Sequence, residues 1–459
     1  MKKIIGIILT LILAGCSTFS SQPKVELKDY KETKLKNGLP VLLMKDDSLP
    51  YVTYTLLIKS GSAADPHNLS GLSSMTAALL KKGTSKRNAT QFAESLDQMG
   101  ADFSAAVSKD YTIASATGLS FHQNQLLKDF AEIVTEPSFS SSEIERTRSL
   151  ILAGLQQSVD DPSGFVSSVL DGYLYGEHPY GSNSNGTIND IKHIRKKNLI
   201  KHYVSTYRPN NAQLAVVGNF SKDIIDQLNS VFAEWTERPV DNLKVPEFPK
   251  ISGLEIELID RSDLKQTQIR FGHKGISRTN PDFLSLRVAN TILGGAFASR
   301  LVDEIREKRG LTYSISSYFD TRRSEGPFII STFTRHDKVK ETIQETLNVL
   351  KKFSQSGATD QEVSDAKALL KGSFPRAVET PEALAENLLV LRYYGIPDSY
   401  LTNYLKDVDK ITTADVNRVI KKYITPDDMK VLVYSSKSKV LGQLKPLGNV
   451  KVKDYKSFL

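Results

Sequence analysis

The sequence predicts an α+β fold of two duplicated halves, each an antiparallel-rich sheet with helices packed on one face. Three observations carry this reading. Strand-like segments alternate with helical periodicities and hairpin signals. Glycines close the helical segments. Landmarks of the first half recur in the second. A shift of 210 residues takes Gly100 onto Gly310, Phe103 onto Tyr313 and Ser104 onto Ser314. A shift of 219 takes Glu143-Ile144 onto Glu362-Val363 and Pro162 onto Pro381. Identity between the halves is low, but order and punctuation agree, which marks a duplication.

In the first half, residues 39–45 and 51–60 read as a strand pair around Asp46-Asp47-Ser48-Leu49-Pro50. Leu72, Met75 and Leu79 share one helix face, and Gly83 is expected to cap that helix. Phe92, Leu96 and Met99 mark a second helix closed by Gly100, with a strand over residues 101–107. In the second half a helix from near Ala298 is expected to end at Gly310, followed by a strand over residues 311–318. Prolines 239, 246 and 249 mark a linker. The organisation is then a first half over residues 30–240, a linker over 241–255, a second half over 256–440 and a C-terminal tail over 441–459.

The start of the chain is an address. Lys2 and Lys3 precede an apolar run over residues 4–14. That run is shorter than the ~20 residues that span a bilayer and fits a secretory signal. Leu13-Ala14-Gly15-Cys16 resembles the bacterial lipobox. The resemblance implies cleavage of a signal peptide over residues 1–15, lipid on Cys16 and a polar tether over 16–29. Acyl chains anchor by about 0.8 kcal/mol per buried CH2. Ser17 stands where an aspartate retains many lipoproteins in the inner membrane. The expected location is the periplasmic side of the outer membrane, with the inner membrane left open.

Composition narrows the classes. A chain of 459 residues allows two to four domain-sized units. The formal charge of +8 falls to +6 once Lys2 and Lys3 leave with the signal, and it is spread along the chain, so nucleic acid is not an expected partner. Cys16 is the single cysteine, which excludes internal disulfides and thiol chemistry.

Gly71-Leu72-Ser73-Ser74-Met75-Thr76-Ala77-Ala78-Leu79-Leu80-Lys81-Lys82-Gly83-Thr84 resembles the active-site helix of the insulinase (pitrilysin, mitochondrial processing peptidase) family. The family form is G-L-A-H-F-L-E-H-M-L-F-K-G-T. The resemblance continues through His178-Pro179-Tyr180-Gly181, Gly186-Thr187, Tyr207-Arg208-Pro209-Asn210, Val216-Val217-Gly218 and residues 293–301. It implies halves closing as a clamshell. It also implies zinc chemistry on H-x-x-E-H, where two histidines one helical turn apart hold the metal and the glutamate activates its water. Here those positions are Ser74, Ala77 and Ala78. The family's third ligand, a later glutamate, falls at Ala153, Gly154 or Leu155. No metal ligand set is therefore expected on this chain. Alanine favours helix, so the helix should persist. No two of the seven histidines are spaced to share a helix face.

Residues 305–314, Ile-Arg-Glu-Lys-Arg-Gly-Leu-Thr-Tyr-Ser, resemble the family's second catalytic element. There an arginine and a tyrosine face the zinc across the substrate cleft, which assigns catalytic roles to Arg306 and Tyr313. Spacing alone would equally fit an arginine at a helix C-terminus and a tyrosine in a strand. Gly294-Gly295 is a thin version of the family's glycine-rich substrate loop, and a helix N-terminal turn is the alternative. The run Lys192, Arg195, Lys196, Lys197 and Lys201 reads as a solvated helix face, while Tyr173, Tyr175 and Tyr180 either pack the core or line the cleft. The resemblance implies a non-zinc subunit of a heteromeric peptidase. A partner chain with H-x-x-E-H would bring zinc, and an edge strand would pair with an unfolded peptide. The alternative is a non-enzymatic peptide-binding or assembly scaffold of the same fold.

Overall fold

The computed structural model describes residues 27–241 and 243–459. Cys16, the signal segment and most of the tether lie outside them. Among the described residues no helix is long and apolar enough to cross a membrane.

The duplication is visible in the sheets. The first contains β1 (Lys31–Lys34), β2 (Pro40–Lys45), β3 (Tyr51–Ile58), β4 (Asp102–Val107), β5 (Thr112–Leu119) and β6 (Ala212–Gly218), in the order β1-β2-β6-β3-β5-β4. The second contains β7 (Leu254–Asp260), β8 (Thr267–Lys274), β9 (Ile315–Phe319), β10 (Pro327–Thr334), β11 (Met429–Ser435) and β12 (Val450–Asp454), in the order β12-β7-β11-β8-β10-β9. Five strands repeat in the same order and sense, with β2 parallel to β6 as β7 is to β11. The sixth differs. β1 precedes β2 and runs antiparallel to it, whereas β12 comes from the end of the chain and runs parallel to β7.

The helices of the first half are α1 (Leu72–Leu79), α2 (Ala89–Gln98), α3 (Gln123–Thr135), α4 (Ser141–Ser158), α5 (Pro162–Tyr175), α6 (Ile188–His193), α7 (Lys196–Thr206) and α8 (Ile224–Val231). Those of the second are α9 (Phe283–Asn290), α10 (Val339–Ser356), α11 (Asp360–Ser373), α12 (Pro381–Tyr393), α13 (Ser399–Lys410), α14 (Thr413–Tyr423) and α15 (Lys437–Leu444). Pro162 and Pro381 each open a helix behind a side-chain cap, Asp161 or Thr380, where a missing N–H costs nothing. The two halves form the α+β clamshell that the sequence predicts.

Most of each half's own helices cover one sheet face. Phe130 of α3 and Leu228 of α8 pack with Tyr54 and Val216. Val349 and Phe353 of α10 pack with Phe271 and Val431. The opposite faces are covered by exchange. Helix α5 of the first half lies on β8 and β11, with Phe165 and Leu174 against Leu432 and Tyr434. Helix α12 of the second half lies on β2, β3 and β6, with Leu384 and Leu388 against Leu42, Leu57 and Val217. Cover on both faces explains why every residue of β3 after Tyr51 is buried, Thr53 and Thr55 included. Gly272 permits the close approach of α5, since a Cβ there would lie 2.7 Å from Leu174 Cδ2.

A buried ionic cluster ties the exchange. Arg322 of the second half donates to Asp171 of α5 at 2.8 and 3.0 Å and to Asp320 at 2.6 Å. Lys109 Nζ reaches Asp171 at 3.0 Å. Arg322 also lies over the rings of Tyr175 and Tyr180. Burial pushes Asp171 up, but Lys109 and Arg322 outweigh it and hold the carboxyl below its ordinary value. Beside it Asp110 accepts from Tyr180 Oη at 2.6 Å, Arg323 N at 2.8 Å and Tyr394 Oη at 3.2 Å.

Four expectations change. The strands on either side of Asp46 do not pair with each other: β6 lies between β2 and β3, parallel to the first and antiparallel to the second. Helix α1 stops at Leu79, so Gly83 does not cap it; with φ +106° Gly83 turns the chain into a bridge with Asn88. The strand expected over 311–318 begins at Ile315, because the chain needs residues 311–314 to leave the Gly310 turn. Residues 441–459 are more than a tail: Val450 and Val452 alternate with lysines at period two, and this segment adds β12 to the second sheet.

Leu174→Ala should lower unfolding stability by about 2–5 kcal/mol through the cavity left over β8. Asp171→Ala should cost about 3 kcal/mol by leaving Arg322 and Lys109 under-compensated. Urea midpoints of the two variants test both figures, and unchanged midpoints would show that the exchange contributes little.

Candidate functional site

The zinc-type helix is present and well anchored. Leu72, Met75 and Leu79 of α1 pack with Ile144, Ile191 and Leu199. Gly71 at the N-cap is left-handed and has no side chain to cap with, so Asp65 does the work. Its carboxylate accepts from Gly71 N at 3.0 Å, Ser73 N at 2.9 Å and Ser73 Oγ at 2.5 Å. Burial pushes Asp65 up to about 7 against the pull of those bonds. Ser73 Oγ also lies 3.4 Å from His202 Nε2 of α7, and burial lowers His202 to about 4. Ser73 is 1% exposed, so this group of acid, hydroxyl and imidazole holds a helix and presents no nucleophile.

The residues present do not fit zinc. Ser74 Oγ donates to the Ser184 carbonyl at 2.6 Å. Ala77 is buried and Ala78 exposed, and neither has a donor atom. Helix α4, which packs on α1, presents Ala153, Gly154 and Leu155. Among the described residues no group of three or more His, Cys, Asp or Glu side chains could hold a metal ion.

The second half presents a different arrangement. Helix α9 runs on as a π-helical stretch, Thr291–Gly295, and after a turn the chain forms another, Val302–Glu307. Such turns recur at functional sites. Gly310, at φ +58°, reverses the chain: its N–H donates to Arg306 O at 3.0 Å, and Leu311 N to Ile305 O at 3.0 Å. Tyr313 therefore sits in the bend before β9. The structure brings the two predicted residues together. Arg306 Cζ lies 4.9 Å from the Tyr313 ring centre and 5.0 Å from that of Phe297, with Arg306 Nε 3.2 Å from Glu307 Oε1. Tyr313 is 75% exposed and Phe297 73%. Phe103, which the repeat aligns with Tyr313, is 2% exposed in the first core. The same position thus serves packing in one half and faces solvent in the other.

Gly294 and Gly295 are not an N-terminal turn or a free loop. They close the π-helical end of α9, where a Cβ on Gly294 would lie 2.5 Å from Ser317 Oγ. Tyr175 and Tyr180 are core, Tyr173 lies under Lys430, and the basic run on α6 and α7 is exposed. Phe297 carried no role in the sequence reading. The available signal was a large aromatic inside a Gly-Gly-Ala-Phe-Ala turn, where no core periodicity requires one.

Residues 40–187 match the family described as Insulinase (Peptidase family M16), and residues 193–370 match the description Peptidase M16 inactive domain. The chain belongs to the insulinase family. An uncharacterized zinc protease, YmxG, of Bacillus subtilis is 26% identical over 88% of this chain and 98% of its own length. A non-peptidase homolog YmxG of Helicobacter pylori is 24% identical over 87% and 93%. A solved peptidase M16 inactive domain from Pseudomonas fluorescens superposes with TM-score 0.82 at 28% identity, covering 93% of this chain and 99% of that one. A Helicobacter pylori protease shares the fold, at TM-score 0.82 and 21% identity over 89% and 100% of the two chains. Within the insulinase family this is a member whose own zinc positions hold no ligands.

His202 and Asp65 give this insulinase-family chain a pH signature. A histidine lowered to about 4 on folding contributes stability that is lost as pH falls through its unfolded value of about 6.5. The raised Asp65 acts with the opposite sign over nearly the same range. His202→Asn should therefore gain about 2 kcal/mol on the wild type between pH 7 and pH 5, read from urea unfolding. A difference independent of pH would show that His202 titrates alike in both states.

Proposed function

We propose that this chain is the non-zinc subunit of a heteromeric insulinase-family peptidase. The observation that carries the reading is the half-buried Arg306 guanidinium against the exposed rings of Tyr313 and Phe297, opposite in character to a zinc helix that bears Ser74, Ala77 and Ala78. Two exposed aromatic rings on a cation contribute little to a fold and suit a surface that meets a ligand. Attack of water on a peptide carbonyl builds negative charge on oxygen. A guanidinium and a phenol at that oxygen stabilise it, by about 3–4 kcal/mol per well-placed donor. A partner chain carrying H-x-x-E-H supplies the zinc and the general base. Strand β9 is the last strand of its sheet and begins just beyond Tyr313; Asn290 bonds the Ser317 carbonyl, so an unfolded peptide would pair with the end of β9 nearest Tyr313, in reach of both side chains. The lipobox-like start adds a location: lipid on Cys16 holds the assembly at the periplasmic side of the outer membrane.

The non-peptidase name of the Helicobacter pylori relative favours a second reading, a peptide-binding or assembly scaffold. Activity separates the two. Purified alone, the chain should cleave nothing. Mixed with a zinc-bearing partner it should support chelator-sensitive cleavage, and Arg306→Ala or Tyr313→Phe should lower kcat by on the order of a hundredfold with a smaller change in KM. Full activity in both variants would remove the catalytic role and leave the scaffold. Cleavage by the chain alone would overturn the division of labour.

A further inference from the structure

Apolar side chains that no core uses gather at one end of the first sheet. There β2, β5 and β6 finish and β3 begins. Leu49 and Tyr51 flank Pro50, whose carbonyl accepts from Ser120 N at 2.8 Å. That bond sets them beside Phe121, which stands in the single turn Ser120–His122 between β5 and α3. Phe121 is 73% exposed, Leu49 64% and Tyr51 43%. Exposed apolar residues are ordinary when scattered; a group of them marks a surface that something covers.

The first described residues lie at the same end. Leu27 packs against the cluster that holds Met44 and Val217, close to where β2 and β6 finish, and Lys28 pairs with Asp46 in the turn that leads to Leu49. Cys16 stands eleven residues before Leu27, which the chain can span by at most about 40 Å. A lipid on Cys16 therefore keeps this end close to the bilayer that holds it. A contact too weak to hold a free protein is populated once it is intramolecular. The charges around the group cancel, since Lys28 faces Asp46 and Lys45 faces Asp47 at 2.7 Å. Attraction to anionic headgroups is thus small, and the side chains themselves decide what fits. Phenylalanine and leucine suit the acyl boundary, and a tyrosine, apolar at one end and polar at the other, suits the headgroup level.

We propose that Leu49, Tyr51 and Phe121 form a membrane-contact surface that enters the headgroup and upper acyl region of the bilayer carrying the Cys16 lipid. The inference rests on the reading that Cys16 is lipidated, and it adds an orientation to that address. The lipid alone leaves the protein free to turn on its tether. Three side chains in the bilayer fix this end of the first sheet toward the membrane.

The test reads depth directly. The full chain, purified from membranes, is reconstituted into phosphatidylcholine vesicles with or without lipid brominated on its acyl chains. Trp235 is the only tryptophan, 4% exposed, and lies at the opposite end of the sheet, where its carbonyl accepts from Asn37 Nδ2 at 3.0 Å before β2 begins. Wild-type emission should therefore ignore bromine. In Phe121→Trp the added indole should shift to shorter wavelength on vesicles and be quenched by brominated lipid. Adding Leu49→Ser should weaken the contact about tenfold, seen as reduced quenching. Lys36→Trp, exposed at the opposite end, should show neither change. No quenching in Phe121→Trp, or equal quenching in Lys36→Trp, would overturn the contact. A wavelength shift without quenching would assign this face to a second copy or another protein instead. Intact mass reports the Cys16 lipid separately. Lipid present without quenching removes the contact alone, quenching without lipid removes the anchor alone, and neither signal removes both.

Discussion

Everything in this chain depends on a guanidinium that should not be comfortable where it is. Arg322 is almost fully buried at the junction of the halves. It is tolerable there because Asp171 arrives on a helix belonging to the other half, with Lys109 and Asp320 completing the cluster. Removing a charge of this kind from water costs several kcal/mol unless partners are fixed around it. The cluster therefore specifies one docking of α5 on the second sheet and disfavours slipped ones. Apolar contacts of Phe165 and Leu174 supply most of the attraction; the ions supply the register. Helix α12 makes the reciprocal crossing without an equivalent buried ion cluster among the described residues, through leucines on β2, β3 and β6. One crossing is thus electrostatically indexed and the other is packed, and the linker between the halves is held in place with Phe248 and Ile251 in the shared core.

The loss of metal ligands has been absorbed locally. A helix that carries zinc is fixed by the metal as well as by packing. Helix α1 keeps its place through a carboxylate six residues before its cap and through Ser73, which serves as donor to Asp65 and neighbour to His202. Ser74, at a position where the family has histidine, turns its hydroxyl onto the Ser184 carbonyl. The helix is therefore structural in this chain, and its rigidity does not require an ion.

How much of this could be read beforehand follows from the range of each interaction. The glycine after α2 and the proximity of Arg306 to Tyr313 are set by neighbours within about ten residues, and the sequence shows them; the two strands around Asp46 show as well, but not β6 between them, which comes from residues 212–218. The exchange of α5 and α12 is invisible there. Phe165 and Leu174 show an apolar face, but nothing local says which sheet will cover it. Asp65 is an exception to that range: it caps α1 from six residues upstream, but only the path of the turn between them brings its carboxylate to Gly71 N and Ser73 N. Gly294 and Gly295 misled for another reason. Consecutive glycines usually mark a loop, but here the absence of a Cβ lets Ser317 and Leu301 approach the backbone. Phe297 became meaningful only when its surroundings did, as a ring on a cation.

The duplication explains why the two halves could diverge in chemistry without diverging in fold. Each half contains the same unit of helix, glycine turn and returning strand, closed by Gly100 or Gly310. In the first, the aligned aromatic is Phe103, and it belongs to the core with Phe130. Converting it to an exposed tyrosine would cost that half its packing. In the second, Ile315 and Leu311 fill the corresponding core, which releases Tyr313 to the surface. Arg306, preceded by the buried Ile305, then points to the same side. A site that consists of a guanidinium and a phenol needs no ligand geometry, only a fixed helix end and a strand leaving it. The second half has both, independently of what happens at Ser74, Ala77 and Ala78. The proposed division of labour between two chains needs that independence: the contact of Arg306 with Tyr313 is fixed by the second half alone.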